Sequence, residues 1–233
     1  MRFAPVLIPV LVMVLPGSLL AQSAESIPSV LVKEETRIWT SPLRLHVTDS
    51  RWLLPLAAGT AALIATDHAV SDKVRESPRL QLRSHELSNL GSGLTLTGAT
   101  AGLYGLGKLS HNSRLTTTAL LAGDALVHSA IVSGGLKLAF NRERPNKPDG
   151  TGAFWEGGRS FPSGHSTVSW AFATVVAHEY RDKPLIEFGA YGLATTVSLA
   201  RVGGRNHYPS DVVVGAGLGT LIGRFVLHQH SHR

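Results

Sequence analysis

Arg201-Val-Gly-Gly-Arg-Asn-His-Tyr-Pro-Ser-Asp211 runs straight into an apolar block, Val212–Leu227. Proline suits the first turn of a helix, where its missing N–H has no partner to lose. Pro209 therefore predicts a helix starting near Tyr208 or Pro209. His207 then lies on the approach to that helix and Asp211 in its first turn. The carboxylate is near enough to hold one imidazole nitrogen and aim the other at an electrophile. The same pair also fits a local cap with a surface ion pair.

Upstream of this stretch the chain repeats one pattern. Blocks rich in Ala, Leu, Gly and Thr, separated by polar turns, occupy Trp52–Thr66, Leu87–Lys108, Leu115–Phe140, Ser166–Tyr180 and Leu185–Val202. With Val212–Leu227 they make six, long enough to read as helices and free of β-alternation. Six helices with short connections predict an all-α fold, a single helical bundle of about six core helices. Most blocks carry a charge or a histidine: Asp124 and His128 in the third, Glu187 in the fifth, Arg224 in the last. They are marginal as membrane spans, and their small residues suit close helix packing in either setting. An exported bundle, soluble or peripherally attached to the envelope, is the expectation, with an integral membrane protein as the alternative.

The ends divide the chain. Residues 1–23 read as an export signal, with Arg2, an apolar core and Ala21-Gln22-Ser23 before the cut. Residues 24–50 read as a polar lead segment without a sustained period, tacked to the core by Ile38, Trp39 and Leu43. The bundle fills residues 51–227, and residues 228–233 form a tail in which His228, His230 and His232 alternate. Asp67, His68 and His111 read as turn residues. The export signal thereby places the chain at the periplasm or cell envelope.

Composition narrows the chemistry. In 233 residues there is no cysteine, which excludes disulfides and thiolate metal sites. The formal charge of +6 favours an anionic partner. Its Lys and Arg residues are scattered and not interleaved with aromatics, so no nucleic-acid platform is expected. The Gly91-Ser92-Gly93 and Gly102–Gly107 stretches follow no strand and lack a Gly-Lys-Ser/Thr ending, so they read as helix contacts and not as a nucleotide loop.

Two more clusters bear on the His207–Asp211 pair. Lys137 and Arg144 are seven residues apart, which on one helix stopped by Pro145 puts both cations on one face. They could hold an anion, or Lys137 could snorkel to water while Arg144 caps the helix. After a Gly- and Pro-rich loop comes Ser160-Phe-Pro-Ser-Gly-His165, which reads as a helix start. The N–H groups of Ser163, Gly164 and His165 would point outward there, a nest suited to a phosphate oxygen. Together the clusters supply what phosphoryl transfer through histidine requires: cations for the equatorial oxygens, an in-line nucleophile and an acid for the leaving oxygen.

Lys137-x6-Arg144-Pro145, Pro162-Ser163-Gly164-His165 and Arg201-x5-His207-x3-Asp211 resemble the three-part signature of the type 2 phosphatidic acid phosphatase superfamily, which includes class A acid phosphatases and vanadium haloperoxidases. The resemblance covers roughly Trp52 to Leu227. It implies an all-helical bundle with the site on the extracytoplasmic side, His207 as the nucleophile forming a phosphohistidine, Asp211 as its orienter, and His165 as general acid and then base. It likewise implies a phosphate shell of Lys137, Arg144, Ser163, Gly164 and Arg201, and no metal or other cofactor. One position departs: the third motif usually opens Ser-Arg, and here it opens Ala200-Arg201, losing a hydroxyl worth on the order of 1 kcal/mol.

The expected activity is metal-independent hydrolysis of phosphomonoesters or lipid phosphates. The alternatives are a vanadate-dependent haloperoxidase, because vanadate mimics the phosphoryl transition state, and a non-catalytic phosphate- or phospholipid-binding envelope protein. Phe154 and Trp155 in the Asn146–Gly158 loop are candidates for a lip that sorts substrates.

Overall fold

A computed structural model describes residues 27–41, 50–147 and 150–231. The export signal, Leu43 and the last two residues lie outside these ranges. Eight α-helices and no strand occur among the described residues: α1 Ile27–Thr40, α2 Ser50–Arg75, α3 Pro78–Ser88, α4 Gly93–Leu109, α5 Ser113–Phe140, α6 Gly164–Glu179, α7 Pro184–Gly203 and α8 Pro209–Ser231.

The six apolar blocks are the bulk of α2 and of α4 to α8. Helix α1 departs from expectation, since the lead segment is helical over fourteen residues. Trp39 tacks it down as expected, its ring lying against Gly135 of α5 so closely that a Cβ there would come within 2.8 Å. The second block is not one helix. Ser88 ends α3, a short 3-10 turn covers Asn89–Gly91, and the Ser92 hydroxyl caps α4 by accepting from Thr95 N–H at 3.1 Å. Helix α8 runs on through His228 and His230 to Ser231, so the first part of the expected tail is helical.

Helix α6 lies at the centre, packed against α5, α7 and α8. Ala171 and Val175 of α6 meet Leu121, Ala122 and Ala125 of α5 and Val226 of α8 in a dry cluster. The α6–α8 seam is set by glycines one turn apart. A Cβ on Gly215 would lie 2.7 Å from Ser163 O, on Gly219 2.2 Å from Thr167 O, and on Gly223 2.8 Å from Thr174 Cβ. The two backbones touch because those side chains are absent, the small-xxx-small device of closely packed helices.

Outside, the surface is apolar. Leu109 of α4 and Leu185 and Phe188 of α7 are 82%, 87% and 75% exposed. Helices α5 and α8 are each long and apolar enough to cross a membrane.

Candidate active site

Helix α5 stops at Phe140, five residues before Pro145. Asn141 adopts the left-handed conformation, φ 42° and ψ 42°, and caps the helix through Lys137 O. Lys137 and Arg144 therefore do not share a helix face. Lys137 sits in the last turn, and Arg144 lies beyond the helix on a strap that folds back over it. The strap is held by Glu143 N–H to Ala153 O at 3.0 Å, Trp155 N–H to Phe140 O at 2.9 Å and Ser160 N–H to Arg142 O at 2.9 Å.

The strap turns Lys137 inward. Its Nζ donates to Arg159 O at 3.1 Å, to Ser160 O at 3.5 Å and, closer still, to Pro162 O. Its stem covers Gly164, whose missing Cβ would lie 3.5 Å from Lys137 Cε. Lys137 is thus anchored by carbonyls at the start of α6 and does not snorkel. Ser163 is the N-cap of α6, its Oγ accepting from Ser166 N–H at 3.4 Å. The nest is narrower than expected, because Ser163 N–H donates to Asp211 O at 2.9 Å. Gly164 and His165 keep first-turn N–H groups that no helical carbonyl can reach. A cavity of about 250 Å³ opens here, lined among others by Lys137, Gly164, His165, Ser133 and Gly134.

His207 is buried, 2% exposed. Its N–H donates to Arg201 O at 3.2 Å, which folds the end of α7 onto the start of α8. Its Nδ1 is 3.4 Å from Asp211 Oδ2 and 3.5 Å from Ser160 Oγ. With Nδ1 turned to the carboxylate, Nε2 is the nitrogen left for chemistry. Burial pushes the imidazole down to about 3 despite Asp211, with the Lys137 and Arg201 charges adding to the effect. The ring is neutral at pH 7, as a nucleophile must be.

Asp211 is buried completely and gripped from several sides. Tyr208 N–H donates to Oδ2 at 2.9 Å, Ser160 O–H donates to the same oxygen, and Arg142 Nη1 donates to Oδ1 at 2.7 Å. Arg142 was not singled out from sequence. It is wholly buried, donates through Nη2 to Asp67 Oδ2 at 2.7 Å and through Nε to Gly152 O at 2.9 Å, and lies 4.7 Å from the Phe154 ring centroid and 4.4 Å from that of Tyr208. Asp67, read as a turn residue, is instead a buried residue inside α2 that also accepts from Ser210 N–H at 3.0 Å. Phe154 is therefore part of this scaffold, packed on Phe140 and Phe161, and only Trp155, 71% exposed, is placed as a lip would be.

Arg201 is buried at the end of α7. Its Nη1 donates to Ser88 Oγ at 3.2 Å, and its Nε is buried without a hydrogen-bond partner. Ala200 beside it is buried too, and Ser88, from the end of α3, supplies a hydroxyl next to the arginine that the sequence motif lacks. His165 is held down to about 4, first by burial and then by Arg201, Lys137 and Arg144. The three cations and two histidines thus share one electrostatic neighbourhood.

The model of the PAP2 superfamily matches residues 118–233. A lipid A 1-phosphatase of Porphyromonas gingivalis is 35% identical over 108 residues, 45% of this chain, which spans only 22% of that relative's length. Among solved structures, LpxE of Aquifex aeolicus superposes with a TM-score of 0.56 at 25% identity, covering 70% of this chain and 94% of the other. The first transmembrane PAP2-type phosphatidylglycerolphosphate phosphatase of Bacillus subtilis superposes with a TM-score of 0.59 at 22% identity, covering 80% and 96%. Fold, motif order and family model agree, and the chain belongs to the PAP2 superfamily.

Proposed function

We propose that this chain is an integral membrane phosphatase that hydrolyses lipid phosphates through a phosphohistidine, with no metal in the reaction. The observation that carries the reading is His207, buried and neutral, with Nδ1 turned to a rigidly held Asp211 beside Lys137, Arg201 and His165. The relatives named as acting on lipid A and on phosphatidylglycerolphosphate support the lipid class.

In the first step His207 Nε2 attacks phosphorus, the bond from phosphorus to the ester oxygen breaks, and His165 gives its proton to that oxygen. In the second step His165 takes a proton from water, the hydroxide attacks phosphorus, and the bond to Nε2 breaks to release inorganic phosphate. Lys137, Arg144, Arg201 and the Gly164 N–H stabilise the equatorial oxygens throughout, with the Ser163 hydroxyl assigned to the same shell. The imidazolium formed at His207 is balanced by Asp211. The catalytic face is assigned to the extracytoplasmic side of the membrane.

The test is phosphate release from a lipid phosphate in detergent micelles with EDTA present. Wild-type protein turns over and forms an acid-labile, base-stable phosphoenzyme. His207→Ala gives no phosphoenzyme and a rate lower by roughly 10³-fold or more. A wild-type protein that binds the lipid without releasing phosphate would refute the reading.

A further inference from the structure

About nine residues before Lys137, some 13 Å along α5 at 1.5 Å per residue, lies a second polar cluster that phosphoryl transfer does not use. His128 of α5 is completely buried. Its Nδ1 is 2.6 Å from Glu35 Oε1 of α1, the length of a strong hydrogen bond. Its Nε2 faces two further carboxylates, Glu34 Oε2 at 3.3 Å and Asp124 Oδ1 at 3.4 Å.

The distances decide between a hydrogen bond and a shared ligand. Charge-assisted N–H···O bonds run at about 2.7–2.9 Å, and both contacts are longer. Ligand atoms around a tetrahedral ion with bonds of about 2.0–2.1 Å are separated by about 3.3–3.4 Å, matching both. The donor atoms of Glu34, Asp124 and His128 all lie within 4.8 Å of one another. Glu35 occupies the position of the outer carboxylate that orients a ligating histidine. The Phe225 ring, edge-on to His128 at 6.1 Å, walls the site with hydrocarbon.

We propose that Glu34, Asp124 and His128 bind one divalent transition-metal ion, oriented by Glu35, which fastens α1 to α5. One imidazole nitrogen and two carboxylate oxygens suit Zn²⁺ or Mn²⁺ better than Mg²⁺, which prefers all-oxygen, hydrated sites. The ion is structural and independent of the phosphatase chemistry.

The experiment uses the full chain in detergent, without an affinity tag and with His228, His230 and His232 changed to Ala, so that the carboxyl end cannot bind metal. The protein is stripped with chelator and dialysed against Zn²⁺ or Mn²⁺; metal per chain is then counted by mass spectrometry and thermal unfolding recorded. The expected result is one ion per chain, a higher Tm with metal, and slower protease cleavage within α1. His128→Gln and Glu34→Gln lose the ion, and Glu35→Gln weakens binding roughly 10- to 100-fold. Should either buried variant fail to fold, Asp124→Asn, at a partly exposed position, carries the same test. No stoichiometric uptake by the parent, or equal uptake by Asp124→Asn and His128→Gln, would overturn the proposal and leave His128 as an imidazolium bridging three carboxylates.

Discussion

Asp211 is the residue on which the site's geometry depends. It accepts the Tyr208 N–H, the Ser160 hydroxyl and the Arg142 guanidinium while facing His207. Asp211→Asn keeps the shape but offers an amide where a carboxylate balanced the imidazolium. A fall in kcat of roughly 10²- to 10⁴-fold with little change in KM is expected; an equal rise in KM would mean that Asp211 serves binding instead. Arg142→Met tests the scaffold behind it, because it strands Asp67 and Asp211 as buried charges. Breaking such a pair costs about 3–5 kcal/mol, so chemical denaturation should show a loss of that order. Ser88 is subtler. Ser88→Ala takes the hydroxyl from Arg201 Nη1 and should raise KM roughly tenfold or more with kcat nearly unchanged, a hydrogen bond to a charged group being worth about 1.5–3 kcal/mol. If Ala200→Ser in that background restores KM, the two positions supply equivalent hydroxyls.

At the scale of elements, the seam between α6 and α8 carries the fold's tightest requirement. Gly219 has Thr167 O where its Cβ would be, at 2.2 Å, and backbone cannot rotate away. Gly219→Ala should cost about 1–3 kcal/mol by overpacking and shift Ser163 and Asp211 together, since Ser163 N–H is bonded to Asp211 O. Stability falling while kcat holds would show that the seam and the site are uncoupled. The helices were legible in the sequence because each apolar block outlasts any strand. Two of the three motifs were legible because Pro162 with Ser163, and Pro209, punctuate helix starts. What was hidden depended on partners far away in sequence. Asp67 gives no local sign that Arg142, 75 residues on, will bury it. Arg142 was masked by Lys137 and Arg144 on either side. Helix α1 has too little apolar character to announce itself, and acquires its place through Trp39 on Gly135 and the carboxylates on His128. Pro145 was the obvious helix stop, yet the left-handed Asn141 ends α5 first.

At the scale of the whole molecule, the position of the site along the bundle and its pH dependence are linked. Lys137 closes α5, Arg201 closes α7, Gly164 opens α6 and His207 precedes α8, so the site residues gather at one end of the bundle. In the membrane setting proposed above, with α5 and α8 as spans, that end would lie at one interface, at the depth of headgroup phosphates. Carbonate washing should therefore leave the protein in the membrane pellet, and a bilayer lipid phosphate should be hydrolysed at least tenfold faster than a soluble phosphomonoester at equal concentration. The same arrangement fixes the pH profile. Before substrate arrives both histidines are neutral above about pH 4, His207 through burial and His165 through burial and three cations. The proton that His165 donates must then arrive with the substrate, on a phosphate whose second pKa is about 6. A dianion alone would find no acid, whereas a monoanion hands its proton to His165 as its charge offsets Lys137, Arg144 and Arg201. The expected kcat/KM is level between about pH 4 and 6. It falls tenfold per unit above the substrate's pKa, and falls again below about pH 3 as His207 protonates. Measured on lipid phosphate in neutral-detergent micelles, a profile that instead rises from pH 6 to 8 would mean that His165 is not the proton donor.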